Sequence, residues 1–147
     1  GITAGAIEAY REVASARVAA SDKSKVSDHP TSQMVAARAT TSLEEVVGTL
    51  HRTLDRWMLA AQAGETLPLE ERIQFRFESA MAVEKCQQSV MALFTASGGR
   101  ALWKDTAINR YFQDIHAARA HYANNPDKPG WNFGRVLFGG RNQDFFL

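Results

Sequence analysis

Cysteine is almost missing from this chain. Cys86 stands alone, so no disulfide can form within the chain, and a reducing, cytoplasmic compartment is the default expectation. An excess of charge of either sign is missing too. Seventeen basic and sixteen acidic residues nearly cancel, and they are interspersed along the helical segments. That pattern gives no basic stripe for nucleic acid and no polybasic patch for a membrane surface. No apolar run approaches the roughly 18 residues that cross a bilayer. The opening Gly1-Ile2-Thr3-Ala4 already reads as helix, with no basic, apolar and cleavage regions in order, so no secretory leader is expected. No segment of any length alternates as a half-buried strand does.

Chemical motifs are scarce as well. No Glu-x-x-His or His-x-x-x-His occurs, so a di-iron or zinc site in a bundle would lack its ligands, and no metal is expected. There is no nucleophile elbow and no P-loop. Cys86 lies in a helical pattern near Met81, Val90 and Phe94 and reads as a small buried hydrophobe. His29 falls in a polar loop and His51 among Thr49, Arg52 and Asp55, so both read as solvated or packing residues.

What is present is helical periodicity. The 147 residues fit one domain, and a chain of that size removes roughly 70% of its unfolded surface from water. A first helix is expected over about 4–20, with Ile7, Tyr10, Val13, Ala14 and Val18 on one face. The polar stretch 21–30 ends in Pro30 and reads as a surface loop. A second helix is expected over 31–63, with Leu43, Val46, Val47, Leu50, Leu54, Trp57, Met58 and Ala61 as its apolar face and a weak spot in helix propensity at Thr40-Thr41-Ser42. Pro68, followed by Glu70 and Glu71, opens a third helix that runs to about Ala96. Gly98 and Gly99 close it. Asp105 or Thr106 can cap a fourth helix over 107–124.

The tail, residues 126–147, is rich in glycine and aromatics and should dock on the bundle or on a partner. The pattern predicts an all-α, up-and-down four-helix bundle spanning residues 1–147, with an extended C-terminal docking tail. A helix of some 30 residues is about 45 Å long. That exceeds what a chain of this size needs to enclose one core, so the spare length is expected to pack on another domain or subunit.

The segment Ser97–Asn124 carries the most chemistry. At roughly 100° per residue along the fourth helix, Arg110, Asp114 and His121 fall within about 40° of one another. His116 would face elsewhere, so the two histidines cannot serve one small ligand together. On spacing alone, Arg110 and Asp114 form a salt bridge on the surface or between subunits, or they support a site. His121 is either a helix-end histidine stabilised by the dipole or a proton-handling group. His116 reads as packing or interface. Ser97-Gly98-Gly99 is a plain helix cap or a ligand contact.

Several strings tip the balance: T-A-S-G-G-R-A-L-W-K-D at Thr95–Asp105, N-R-Y-F-Q-D-I-H-A-A-R-A-H at Asn109–His121, N-P-D at Asn125–Asp127 and F-G-R at Phe133–Arg135. With Gly5–Tyr10 and H-P-T-S-Q at His29–Gln33, they resemble the C-terminal helical domain of flavin-dependent aromatic monooxygenases that share the acyl-CoA dehydrogenase fold. The resemblance implies a homo-oligomer, a tetramer or dimer of dimers, in which this chain is the bundle part of a larger polypeptide. It implies reduced FMN or FAD delivered by a separate reductase, O2 as co-substrate, and an aromatic, phenolic small molecule as substrate. Ser97, Gly98 and Gly99 match the loop that meets the flavin phosphate from a neighbouring subunit, with Arg100 adding charge. His121 matches the histidine placed near flavin and substrate, and Arg110 and Asp114 become supports.

The dehydrogenases of that fold carry a tail glutamate beside a Gly-Thr pair. Here Gly130–Arg135 has no carboxylate, which favours the monooxygenase branch. An acyl-CoA dehydrogenase domain and a non-catalytic oligomerisation bundle are the competing expectations. By itself the chain is expected to be inactive.

Overall fold

The computed structural model describes residues 1–147, and its regular structure is helical apart from one isolated bridge. Five α-helices follow in order: α1 (Ile2–Ala16), α2 (Pro30–Gln62), α3 (Leu69–Ser97), α4 (Ala107–Ala120) and α5 (Asp127–Leu137). The first four form the expected bundle. α3 packs against α1, α2, α4 and α5, while α1 also meets α2 and α4; α2 and α4 do not touch, so they occupy opposite corners. Because α3 has neighbours all round, its buried residues (Ile73, Ala80, Ala82, Val90 and Leu93 among them) are spread about its circumference.

The core gathers where α1, α3 and α4 meet. Tyr10, Leu93, Val90 and Ile108 are fully buried there, and Ile73 is buried further along α3. Gly5 lets the two outer helices close: a Cβ at this position would collide with the ring of Tyr111 on α4. Phe94 of α3 stacks on Phe112 of α4 at 4.1 Å between centroids.

Helix ends depart from the periodicity. α1 stops at Ala16, four residues short of expectation, because the chain turns back on itself. Val18 pairs with Lys25, Ala19 N–H donates to the Ser24 carbonyl at 2.8 Å, and Lys23 takes a left-handed φ of 60°. α2 passes through Thr40–Ser42 as uninterrupted helix; the Thr40 hydroxyl turns back onto the Ala36 carbonyl at 3.0 Å.

α4 ends at Ala120 rather than Asn124. The Asn124 side chain donates to the Ala118 carbonyl at 2.7 Å, residues 122–124 tighten into a 3-10 turn, and the residue before Pro126 is biased away from helix. Thr106 is the N-cap position of α4, but its hydroxyl bonds backward to the Trp103 and Ala101 carbonyls instead of capping.

The tail docks, as expected, but much of it is helix. α5 packs on α3, with Gly130 tight against Phe77: a Cβ there would lie 2.7 Å from the ring. Residues 140–147 are irregular.

The surplus of α2 is plain. Only Ala39, Val46 and Ala60 of this helix are buried. Leu54, Trp57, Met58 and Leu59 of its distal half are exposed, two of them by about 60% (Met58 59%, Leu59 62%).

Candidate functional site

The glycine corner is built from the end of α3. Ser97 is buried, its hydroxyl donating to the Leu93 carbonyl at 2.9 Å. Its own carbonyl accepts from Nη1 of Arg17, at the end of α1, at 3.0 Å. Gly98 then takes φ 75° and ψ −171°, a conformation that L side chains rarely adopt. A Cβ on Gly98 would also lie 2.6 Å from Arg17 Nη1, which would have to move off the Ser97 carbonyl.

The Gly98 N–H is committed to the Thr95 carbonyl and its own carbonyl to Ala101 N–H, so this peptide offers no free donor. The cationic character of the corner comes from side chains. Arg17 and Arg100 line a cleft of about 330 Å³ together with Ser97, Trp103, Thr106 and Ile108. The Arg100 guanidinium sits 6.0 Å from the Trp103 ring centre. Two guanidiniums and an exposed indole at one cleft suit a ligand that is both anionic and planar.

Sequence reasoning missed Arg17. Nothing local marks it; only the fold carries the end of α1 to the end of α3.

His121 is no longer on α4. It is the residue after the helix, in extended conformation (φ −65°, ψ 135°), and exposed. The stripe it was expected to share with Arg110 and Asp114 is therefore broken. Its Nδ1 accepts the Ala123 N–H at 3.3 Å, so the proton of the neutral ring resides on Nε2. In this geometry His121 is a hydrogen-bond donor through Nε2.

Arg110 and Asp114 are exposed and make no ion pair with each other; the Arg110 guanidinium lies 5.1 Å over the neighbouring Tyr111 ring. His116 is a packing residue. Nδ1 is 2.7 Å from the Phe112 carbonyl, and its ring rests 4.2 Å from the Phe112 ring.

The corner and His121 lie at opposite ends of α4. Fourteen helical residues separate them by about 20 Å, and the corner cleft does not reach His121. One ligand can use both only if it is extended or if a second copy of the chain brings the other half.

No group of three or more His, Cys, Asp or Glu side chains is arranged to hold a metal ion. No helix is long and apolar enough to cross a membrane.

The chain is thus a four-helix bundle with an exposed apolar flank on α2 and a cationic, aromatic cleft at one corner. Residues 1–126 match the acyl-CoA dehydrogenase C-terminal domain family, and the chain belongs to that family. It is 31% identical over 140 residues to the flavin-dependent monooxygenase oxygenase subunit HsaA of Rhodococcus jostii (strain RHA1), covering 95% of this chain and 37% of that protein. It is 33% identical over 144 residues to the HsaA oxygenase subunit of Mycobacterium tuberculosis (strain ATCC 25618 / H37Rv), covering 95% of this chain and 36% of that protein.

Among solved structures, the 3-HSA hydroxylase from Rhodococcus sp. RHA1 superposes with a TM-score of 0.90 at 29% identity, over 99% of this chain and 38% of that one. XiaF from Streptomyces sp., solved with FADH2 and glycerol, shares the fold with a TM-score of 0.83 at 21% identity, over 99% of this chain and 37% of that one. The chain thus spans little more than a third of the length of the relatives it matches.

Proposed function

We propose that this chain is the C-terminal bundle of the oxygenase subunit of a flavin-dependent monooxygenase that hydroxylates a phenolic substrate. The observation that carries the reading is the likeness to flavin-dependent oxygenase subunits along 95% of the chain. The corner fits the cofactor class. A flavin nucleotide is a planar ring bearing a phosphate, and Arg17 and Arg100 present cations beside Trp103. Reduced FMN or FAD, supplied by a separate reductase, brings the electrons with which O2 is activated.

The chain's own residues do four things in this reading. Arg17 and Arg100 hold the phosphate. Gly98, without a side chain, leaves room for it beside the guanidinium that the Ser97 carbonyl anchors. His121 offers Nε2–H to an oxygen of the substrate or of the activated cofactor. The exposed flank of α2 packs against other subunits in a tetramer or dimer of dimers, and a second copy brings corner and imidazole to one site. The absence of a carboxylate in Gly130–Arg135 counts against thioester dehydrogenation.

The test uses the full-length oxygenase with a flavin reductase, a phenol and O2. Arg17→Met is expected to weaken reduced-flavin binding roughly tenfold. Hydroxylation at the wild-type rate and unchanged flavin affinity in Arg17→Met would contradict the assignment of the corner.

A further inference from the structure

Residues 140–147 form no helix, and an irregular surface segment of this kind is held only where side chains tie it down. Asn132 of α5, only 3% exposed, ties it. Its Oδ1 accepts the Gln143 N–H at 2.8 Å, and its Nδ2 donates to Asn142 Oδ1 at 2.8 Å. Asn142 Oδ1 accepts the Asp144 N–H, and Asp144 Oδ1 accepts the Phe146 N–H, each at 3.0 Å. The clasp is made wholly of amides and a carboxylate.

Hydrophobic burial is not what orders this tail. Phe145 is 83% exposed and Phe146 56% exposed. The clasp holds these rings in place without hiding them. Phe146 meets Tyr122 edge-on at 6.4 Å and Phe145 at 4.2 Å between centroids. Together with Trp131 they surround a cleft of about 340 Å³, which is large enough for a bicyclic aromatic molecule.

Cations flank the same rings. Lys128 Nζ donates to the Tyr122 hydroxyl at 3.3 Å and lies 5.3 Å from its ring centre. The Arg135 guanidinium lies 5.6 Å over Trp131. Tyr122 is the residue next to His121.

We propose that this cleft seats the aromatic ring of a phenolic ligand, with the clasped tail as its wall, Phe146 and Trp131 as its ring contacts and Lys128 as the partner of the ionised oxygen. Asn132 is a positioning residue: it acts on the ligand only through the tail it holds. The identification of this ligand as the substrate rests on the monooxygenase reading above; the binding site itself does not.

Equilibrium dialysis of 2-naphthol against the full-length oxygenase tests it without turnover. Phe146→Ala and Asn132→Ala are expected to weaken binding roughly threefold to tenfold, while Phe146→Tyr, which keeps the ring, binds as wild type. Phe146 is exposed, so its variants fold whether or not Asn132→Ala does. Sedimentation of all variants is expected to match wild type. Equal affinity in wild type and Phe146→Ala overturns the proposal, as does a change in sedimentation with affinity intact, which would make the tail a subunit contact. Tight 2-naphthol binding that is lost in Phe146→Ala, in a wild-type enzyme that hydroxylates no phenol with reduced flavin and O2, supports the cleft while contradicting the monooxygenase reading.

Discussion

His121 shows how one hydrogen bond sets what a side chain can do. With Nδ1 occupied by the Ala123 N–H, the neutral ring presents Nε2–H and acts as a donor. Replacing His121 by Ala in the full-length oxygenase is expected to slow hydroxylation about a hundredfold, the usual cost of losing a donor aimed at developing charge. Reduced-flavin affinity, read by fluorescence titration, is expected to stay unchanged. Wild-type turnover in the variant would leave His121 a merely structural residue.

A second residue-scale case lies in the loop before α2. Ser24 gives its hydroxyl to Asp22 Oδ1 at 2.7 Å and its N–H at 3.0 Å. His29 Nε2 sits 2.6 Å from the same hydroxyl. The Ser24 hydroxyl bond, then its N–H bond, and more weakly the charge of His29, hold the Asp22 carboxyl below the ordinary carboxylate range. A lowered pKa means that the charged form is favoured by folding. The stabilisation is therefore complete above the ordinary carboxylate pKa and is lost as pH falls through the lowered one. The Tm gap between wild type and Asp22→Asn should be open at neutral pH and close below about pH 4. A gap that persists unchanged into strong acid would show that the loop does not draw on that charge.

At the scale of elements, the bundle is tight where small residues let helices meet. Gly5→Ala places a methyl against the Tyr111 ring and is expected to cost about 1–3 kcal/mol. Leu93→Ala, in the fully buried centre, is expected to cost about 2–5 kcal/mol. Urea denaturation measures both.

The four bundle helices were legible from periodicity because their apolar residues recur at helical spacing and their starts carry Pro30 and Pro68. Their ends were less legible. α4 stops where Asn124 captures the Ala118 carbonyl, a contest between a side chain and the helix that spacing does not record. α5 was hidden for a different reason. It contains Gly130 and Gly134, poor helix formers, and it forms because Gly130 allows close packing on Phe77. The corner was visible through its glycines, but Arg17 was not, since the contact spans 80 positions of sequence.

At the scale of the whole molecule, part of the apolar surface lies uncovered. Leu54, Met58 and Leu59 lie exposed along the distal half of α2, and a patch of that kind marks an interaction surface. Glutamate at Met58 and Leu59 is expected to leave the bundle folded, each exposed change costing within about 0.5 kcal/mol. It should lower the sedimentation coefficient of the full-length oxygenase if this flank joins subunits. An unchanged coefficient would place the subunit contact elsewhere.

In the proposed role these helices complete a site where reduced flavin and O2 hydroxylate an aromatic ring. Supplying the full-length oxygenase with reductase, flavin, a phenol and isotopically labelled O2 tests it most directly. A hydroxylated product carrying one labelled oxygen is expected. A product whose new oxygen comes from water, or the absence of any hydroxylated product while flavin is bound, would contradict it.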